Sequence, residues 1–181
     1  MSQFFAIHSE NPQSRLVREA VSILRDGGVI VYPTDSAYAL GCQIGEKEPL
    51  DRIRSIRSLE PNHNFTLACR DLSELGTFSR VYNASYRMIR RATPGPYTFI
   101  LHAAKIVPRR LVHPKKKTVG IRLPSNRIAQ SLLHELDEPM ISSTLKLIGR
   151  EHPLTDPNQI LKVLESELDL VIDGGLGGTG Q

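Results

Sequence analysis

Val29-Ile-Val-Tyr-Pro-Thr-Asp-Ser-Ala-Tyr-Ala-Leu-Gly-Cys42 sets a polar turn between two apolar runs, and this arrangement constrains the fold more than any other stretch of the chain. Val29 to Tyr32 is continuous and β-branched, as buried strands are, and Pro33 withdraws a backbone donor and ends regular pairing. The second apolar run follows so closely that the two are expected to be antiparallel neighbours. Thr34, Asp35 and Ser36 then stand at a strand end. Hydroxyls and a carboxylate grouped there either bind an ammonium, a hydroxyl or a phosphate, or hold the turn by bonding to their own backbone.

The rest of the chain alternates helical and extended patterns. Apolar residues between Arg15 and Asp26 form a helical stripe that Gly27-Gly28 stops. Pro49 fits the first position of a second helix bearing Leu50, Ile53 and Ile56, with Arg52, Arg54 and Arg57 on its other sides. Phe65–Cys69 reads as a strand. Asp71 and Glu74 resemble a capping box for a short helix that Gly76 ends, and another helix is expected over about Ala84–Arg91. Strands at Tyr97–Ala103 and Thr118–Arg122 flank a basic turn from Pro108 to Lys117. Ser125 or Asn126 caps a helix carrying Ile128, Leu132, Leu133 and Leu136, and Met140–Ser143 is a short strand. Asp156-Pro157 opens the last helix, and Leu170–Ile172 is the last apolar run. This order predicts an α/β fold: a single domain with a twisted, open, mixed sheet and flanking helices.

A chain of 181 residues, 40% of them hydrophobic, supports one well-buried core. Cys42 and Cys69 sit in or beside apolar segments without zinc spacing, so buried free thiols are expected and no metal site. The N-terminus has no leader pattern and no run reaches membrane-spanning length, which predicts a cytoplasmic protein with no membrane partner. A net charge of +4 is compatible with polyanion binding without requiring it.

The turn motif resembles the Pro-Thr-(Glu/Asp)-x-x-Tyr-Gly-Leu-Gly-Cys sequence of the YrdC-like threonylcarbamoyl-AMP synthases. Pro94-Gly-Pro-Tyr-Thr-Phe-Ile-Leu101 and Val119-Gly-Ile-Arg-Leu-Pro124 are similar to two further family strands in the same order, and the details look closest to the YciO branch. The similarity spans residues 13–181 as one YrdC/RibB-like domain. It implies an open sheet with a concave cationic cavity, and an activity joining L-threonine, bicarbonate and ATP into threonylcarbamoyl-AMP and pyrophosphate for tRNA modification. Mg2+ would arrive with the ATP, and no tightly bound cofactor is expected. The family usually continues past Gly174-Gly-Leu-Gly-Gly-Thr-Gly-Gln181 with another strand, so a missing final strand and a flexible terminus are expected.

By motif position, Thr34 contacts threonine and Arg122 binds its carboxylate through a bidentate fork. Tyr38 either walls that pocket or packs, and Thr98 is either the matching family threonine or an ordinary strand residue. Arg57, His63, Ser142, Ser143, Thr144 and Lys146 fall at the nucleotide end. Two family patterns change there. Lys-x-Arg-Pro becomes Arg57-Ser58-Leu59-Glu60, and Ser-x-Asn becomes Thr144-Leu145-Lys146, which puts synthase activity in question and offers Lys146 as a phosphate contact.

Two alternatives stand beside synthesis. One is binding of double-stranded RNA or tRNA through Arg109, Arg110, His113, Lys115, Lys116, Lys117 and the arginines of the second helix, by charge and shape, against the plainer reading of a solvated turn. The other uses the same cavity to hydrolyse or transfer a nucleotide-linked carbamate.

Overall fold

The computed structural model describes residues 1–61 and 63–177. Within them the strands are β1 (Gln3–Ala6), β2 (Ile30–Pro33), β3 (Tyr38–Gln43), β4 (Thr66–Ala68), β5 (Ser79–Arg80), β6 (Thr98–Ala103), β7 (Thr118–Arg122), β8 (Met140–Thr144) and β9 (Leu170–Asp173). The helices are α1 (Ser14–Arg25), α2 (Lys47–Arg57), α3 (Leu72–Phe78), α4 (Asn83–Ala92), α5 (Arg127–Leu136) and α6 (Pro157–Leu164). All nine strands form one open sheet in the order β1-β9-β2-β3-β8-β4-β7-β6-β5. It is mixed as expected: β1/β9, β2/β9 and β4/β7 are parallel, and the remaining pairs are antiparallel.

Strand alternation splits the core in two. Val31, Leu40, Leu67, Ile121 and Ile141 point to one face and pack with Leu50, Ile53 and Ile56 of α2 and Ile160 and Leu164 of α6. Ile30, Tyr32, Ala39, Ala68 and Met140 point to the other, beneath α1 and α5. These two helices cover only one end of that face. On β6 the outward residues Thr98, Ile100 and His102 are exposed, so the far end of the sheet is left open.

Several boundaries differ from the sequence expectation. Pro33 keeps its place opposite Tyr38, because a proline at the last position of a strand forfeits little of the ladder. Helix α2 starts at Lys47, two residues before Pro49. Proline is tolerated anywhere in a first turn, where N–H groups lack helical partners. Asp71 caps α3 by accepting from the Glu74 N–H at 2.8 Å, and Glu74 accepts from the Arg70 N–H at 2.9 Å, but the helix runs through Gly76 to Phe78. Strands β1 and β5 were not anticipated, since four and two residues are too few to display a period. Cys42 and Cys69 are buried free thiols, and burial pushes the Cys42 thiol up to about 12. Of the glycine-rich stretch, residues 178–181 lie outside the described residues. The part before them is held: Tyr38 donates its hydroxyl to the Gly175 carbonyl at 2.5 Å and accepts from the Gly174 N–H at 3.1 Å.

Two glycines separate conformational cost from space. A Cβ at Gly76 meets nothing within 4 Å, so Gly76→Ala is expected to stabilise the protein by about 0.5–1 kcal/mol. A Cβ at Gly28 would lie 2.6 Å from the Ile23 carbonyl oxygen, so Gly28→Ala is expected to destabilise it. Urea midpoints of the two variants should move in opposite directions.

Candidate functional site

Pairing of β8, β4, β7 and β6 brings polar residues into register on the open face. One row runs Ser142, Thr66, Gly120, Ile100, and the next runs Ala68, Arg122, Thr98. Gly120 keeps the floor low, since a Cβ there would lie 3.1 Å from the Thr66 hydroxyl. Around this floor lies a cavity of about 220 Å3 lined by Arg57, His63, Asn64, Thr66, Thr98, Arg122, Ser142, Ser143 and Thr144. Seven of the residues expected from sequence meet there: Arg57, His63, Thr98, Arg122, Ser142, Ser143 and Thr144. Asn64 and Thr66 carry no motif of their own; the strand register places Thr66, and Asn64 lies in the segment just before β4.

Arg122 ends β7 with its guanidinium half-buried. Its Nη2 donates to the Ser36 hydroxyl at 3.2 Å, while its Nε is buried without a partner. A buried N–H left unpaired is costly, so the remaining edge of this guanidinium is set up for an acceptor from outside the protein. Arg57 is more engaged: Nη1 donates to the Ser143 hydroxyl at 2.5 Å and Nε to the Lys146 carbonyl at 3.3 Å. Burial pulls its pKa below the ordinary arginine value. Tyr32, fully buried beneath α5, shares a 2.6 Å hydrogen bond with the Ser142 hydroxyl, and burial raises its phenol to about 12. It therefore fixes one cavity hydroxyl from below, a role the apolar run around it concealed.

The polar turn supports this site from behind. Asp35 accepts from the Ser125 N–H and hydroxyl, each at 2.8 Å, and from the Asn126 N–H at 2.5 Å, which ties the turn to the start of α5. Thr34 donates its hydroxyl to the Ala37 carbonyl and accepts from the Ser36 N–H at 3.4 Å. Thr34 is thus a turn residue that orients Ser36, and it is absent from the cavity lining. Tyr38 also lies elsewhere, buried and bonded to Gly174 and Gly175. Lys146 is exposed and offers the cavity only its carbonyl, received by Arg57, while Leu59 packs against the core. The changed Lys-x-Arg position is therefore an apolar anchor.

The basic turn does not join this cavity. It begins at the opposite end of β7, where Lys105, Arg109, His113 and Lys117 line a second cavity of about 630 Å3. Arg110 donates to the Gly45 carbonyl at 2.9 Å, and Lys115 and Lys116 are exposed. Of the α2 arginines, Arg52 pairs with Asp169 and Arg54 with Asp51. The turn therefore reaches the start of α2 through Arg110, while Arg52 and Arg54 of that helix are already paired within the protein. A larger concavity of about 730 Å3 lies between α4 and Pro94 and Tyr97, but it holds none of the candidate threonine, nucleotide or RNA contacts.

A family model described as telomere recombination, covering Sua5, YciO and YrdC proteins, matches residues 22–181. The uncharacterized protein YciO of Escherichia coli strain K12 is 57% identical over 178 residues, which cover 98% of this chain and 86% of that protein. The threonylcarbamoyl-AMP synthase of Nitrosococcus oceani is 32% identical over 162 residues, covering 89% of this chain and 86% of that one. The crystal structure of E. coli YciO superimposes with a TM-score of 0.94, covering 98% of this chain and 86% of that one. P. abyssi Sua5 complexed with L-threonine superimposes with a TM-score of 0.88 at 21% identity, over 97% of this chain and 51% of that one, a likeness of fold.

His63 supplies a test of the cavity's electrostatics. Burial first, then the Arg57 and Arg54 guanidiniums, hold its imidazole below the ordinary value. The unfolded chain therefore binds more protons than the folded one as the pH falls through about 6.5. The stability contributed by neutral His63 is complete above that value and is lost as the pH falls toward the depressed folded value. Between about pH 7.5 and 5.5 the urea midpoint is expected to drop further for the wild type than for His63→Gln. Equal drops would contradict this electrostatic description.

Proposed function

The chain belongs to the Sua5/YciO/YrdC family, and from that we propose that its Arg122 cavity binds L-threonine and joins it with bicarbonate and ATP into threonylcarbamoyl-AMP. One observation carries the reading: the buried, unpartnered Nε of Arg122, beside an Nη2 held only by Ser36, in a small cavity rimmed by hydroxyls. A planar fork with free donors recognises a carboxylate better than a point charge does. Cross-strand from it, Thr98 lies within the same pocket and supplies a hydroxyl for the amino acid's polar atoms.

The chemistry asks for little acid or base from the protein. Bicarbonate gives up hydroxide to yield carbon dioxide, the threonine amine adds to its carbon and loses a proton that leaves with the hydroxide as water, and the carbamate oxygen then attacks the α-phosphorus of ATP as pyrophosphate leaves with the magnesium it arrived with. Such a displacement depends on alignment and on positive charge near the departing phosphates. Arg57 and His63 line the same cavity and are assigned to the phosphates. Ser142 and Ser143, on adjacent positions of β8, present one hydroxyl held by Tyr32 and one held by Arg57. With Leu59 in the core, the phosphate end relies on fewer side-chain cations than the family pattern, so a slow synthase is expected.

The decisive assay incubates the purified protein with L-threonine, bicarbonate and magnesium ATP and follows pyrophosphate and threonylcarbamoyl-AMP together. Equal accumulation of both supports the reading, and adenylate no higher than without protein overturns it. Arg122→Ala is expected to weaken threonine binding by about 2–5 kcal/mol, measured by calorimetry. Arg122→Lys should recover only part of this, since an ammonium cannot reproduce the fork.

A further inference from the structure

From residue 75 to residue 134 the chain contains no Asp or Glu, yet it carries twelve of the 23 Lys and Arg residues. The acidic residues all lie on the other segments, so β5, β6, β7 and the connections between them carry basic side chains and no acidic ones. Within this segment, the cavity at the start of β7 combines two kinds of wall. Lys105, Arg109, His113 and Lys117 converge on it, and Ala103, Ala104, Val107, Val112 and Pro114 supply apolar surface. Among the described residues, none of the side chains of Lys105, Arg109 and Lys117 makes a hydrogen bond or ion pair within the protein.

The turn that presents them is built to a fixed shape. The His113 N–H donates to the Thr118 carbonyl at 2.8 Å, the Lys117 N–H to the His113 carbonyl at 2.9 Å, and the Ala103 N–H to the Lys117 carbonyl at 2.9 Å. Lys117 adopts a left-handed φ of 56°, unusual for a residue with a side chain. The His113 Nδ1 accepts from the N–H groups of Lys115 and Lys116, at 3.2 and 3.1 Å. The proton of the neutral ring therefore sits on Nε2, which makes the other ring nitrogen a donor. Four donors of positive or neutral character thus border about 630 Å3, a volume within the range of small-molecule sites.

We propose that this second cavity is a binding site for a nucleoside polyphosphate, with Lys105, Arg109, Lys117 and His113 Nε2–H on the phosphates and the Val107, Val112 and Pro114 wall against the nucleoside. It is separate from the Arg122 cavity, shares no residue with it, and does not depend on the synthase reading. An RNA backbone would use the same cations but would leave the apolar wall uncovered, so the pocket favours a small ligand with an apolar part.

Calorimetry of the full chain with magnesium ATP tests the assignment. Lys105→Ala/Arg109→Ala, at two exposed positions, is expected to weaken one ATP-binding event by roughly tenfold or more, as loss of charge-assisted contacts does. Arg57→Ala/Arg122→Ala should retain that event, whether or not the Arg122 cavity itself binds ATP. Pyrophosphate should bind more weakly than ATP. In the wild-type protein, saturating ATP should move the ring 15N signals of His113, a measurement independent of any variant. The proposal is overturned by unchanged ATP affinity in Lys105→Ala/Arg109→Ala, by loss of all ATP binding in Arg57→Ala/Arg122→Ala, or by unmoved His113 signals. Displacement of ATP by an RNA duplex of about 16 base pairs at equal phosphate concentration would make this a nucleic-acid face and would overturn it as well.

Discussion

The carboxylate of Asp35 is the contact on which the geometry of the site rests. By collecting the Ser125 N–H and hydroxyl and the Asn126 N–H, it pins the β2–β3 turn to the residues that open α5. The same turn carries Ser36, and the same α5 connection leaves directly from Arg122 and Pro124. One acidic side chain therefore sets the distance between the Ser36 hydroxyl and the Arg122 guanidinium. Its three donors are two peptide groups and a hydroxyl, so the charge is satisfied locally and is not available to a ligand. A carboxylate beside a binding site here works as a clamp.

The division of labour on the sheet follows from which part of its face the helices cover. Beneath α1 and α5 the face is apolar, and Tyr32 is the exception whose hydroxyl reaches Ser142 at the boundary. Beyond that boundary the same register of strands presents Thr66, Arg122 and Thr98. The site is thus continuous with the core: Thr66, Thr98, Arg122, Ser142, Ser143 and Thr144 are held by the sheet itself, while Arg57 comes from the end of α2 and His63 and Asn64 from the segment before β4. Glycine at position 120 contributes by omission, since any side chain there would crowd Thr66 and Thr98 and raise the floor.

Much of this was legible in the sequence, and what was hidden has physical reasons. The strand–turn–strand unit, the Asn126 and Asp156 caps and the strand ending in Arg122 follow from periodicity and capping chemistry acting over a few residues. Seven residues that meet in the cavity were named because they lie at strand ends or in motif positions. The partners of Thr34 and Tyr38 could not be read from the sequence, because a side chain's partner depends on the third dimension: Thr34 closes its own turn, and Tyr38, left open there between walling the pocket and packing, reaches Gly174 and Gly175, more than a hundred residues away. Thr66 and the supporting Tyr32 left no local signal, because their roles come from pairing between distant strands, and Asn64, just before β4, carries no motif of its own. The basic turn was visible as charge, but its position opposite Arg122 required the direction of β7.

Strand β9 inserts between β1 and β2, pairing Ile30 with Leu170 and Phe4 with Val171. A ribosome delivers β2 long before β9. Until Leu170–Asp173 emerges, β2 keeps one unpaired edge of four buried-type residues, and β1 has no neighbour to join. Such an apolar edge is a template for pairing with another chain. The nascent protein is consequently exposed to aggregation while the roughly 140 residues from the end of β2 to the end of β9 are made, and β9 closes the gap.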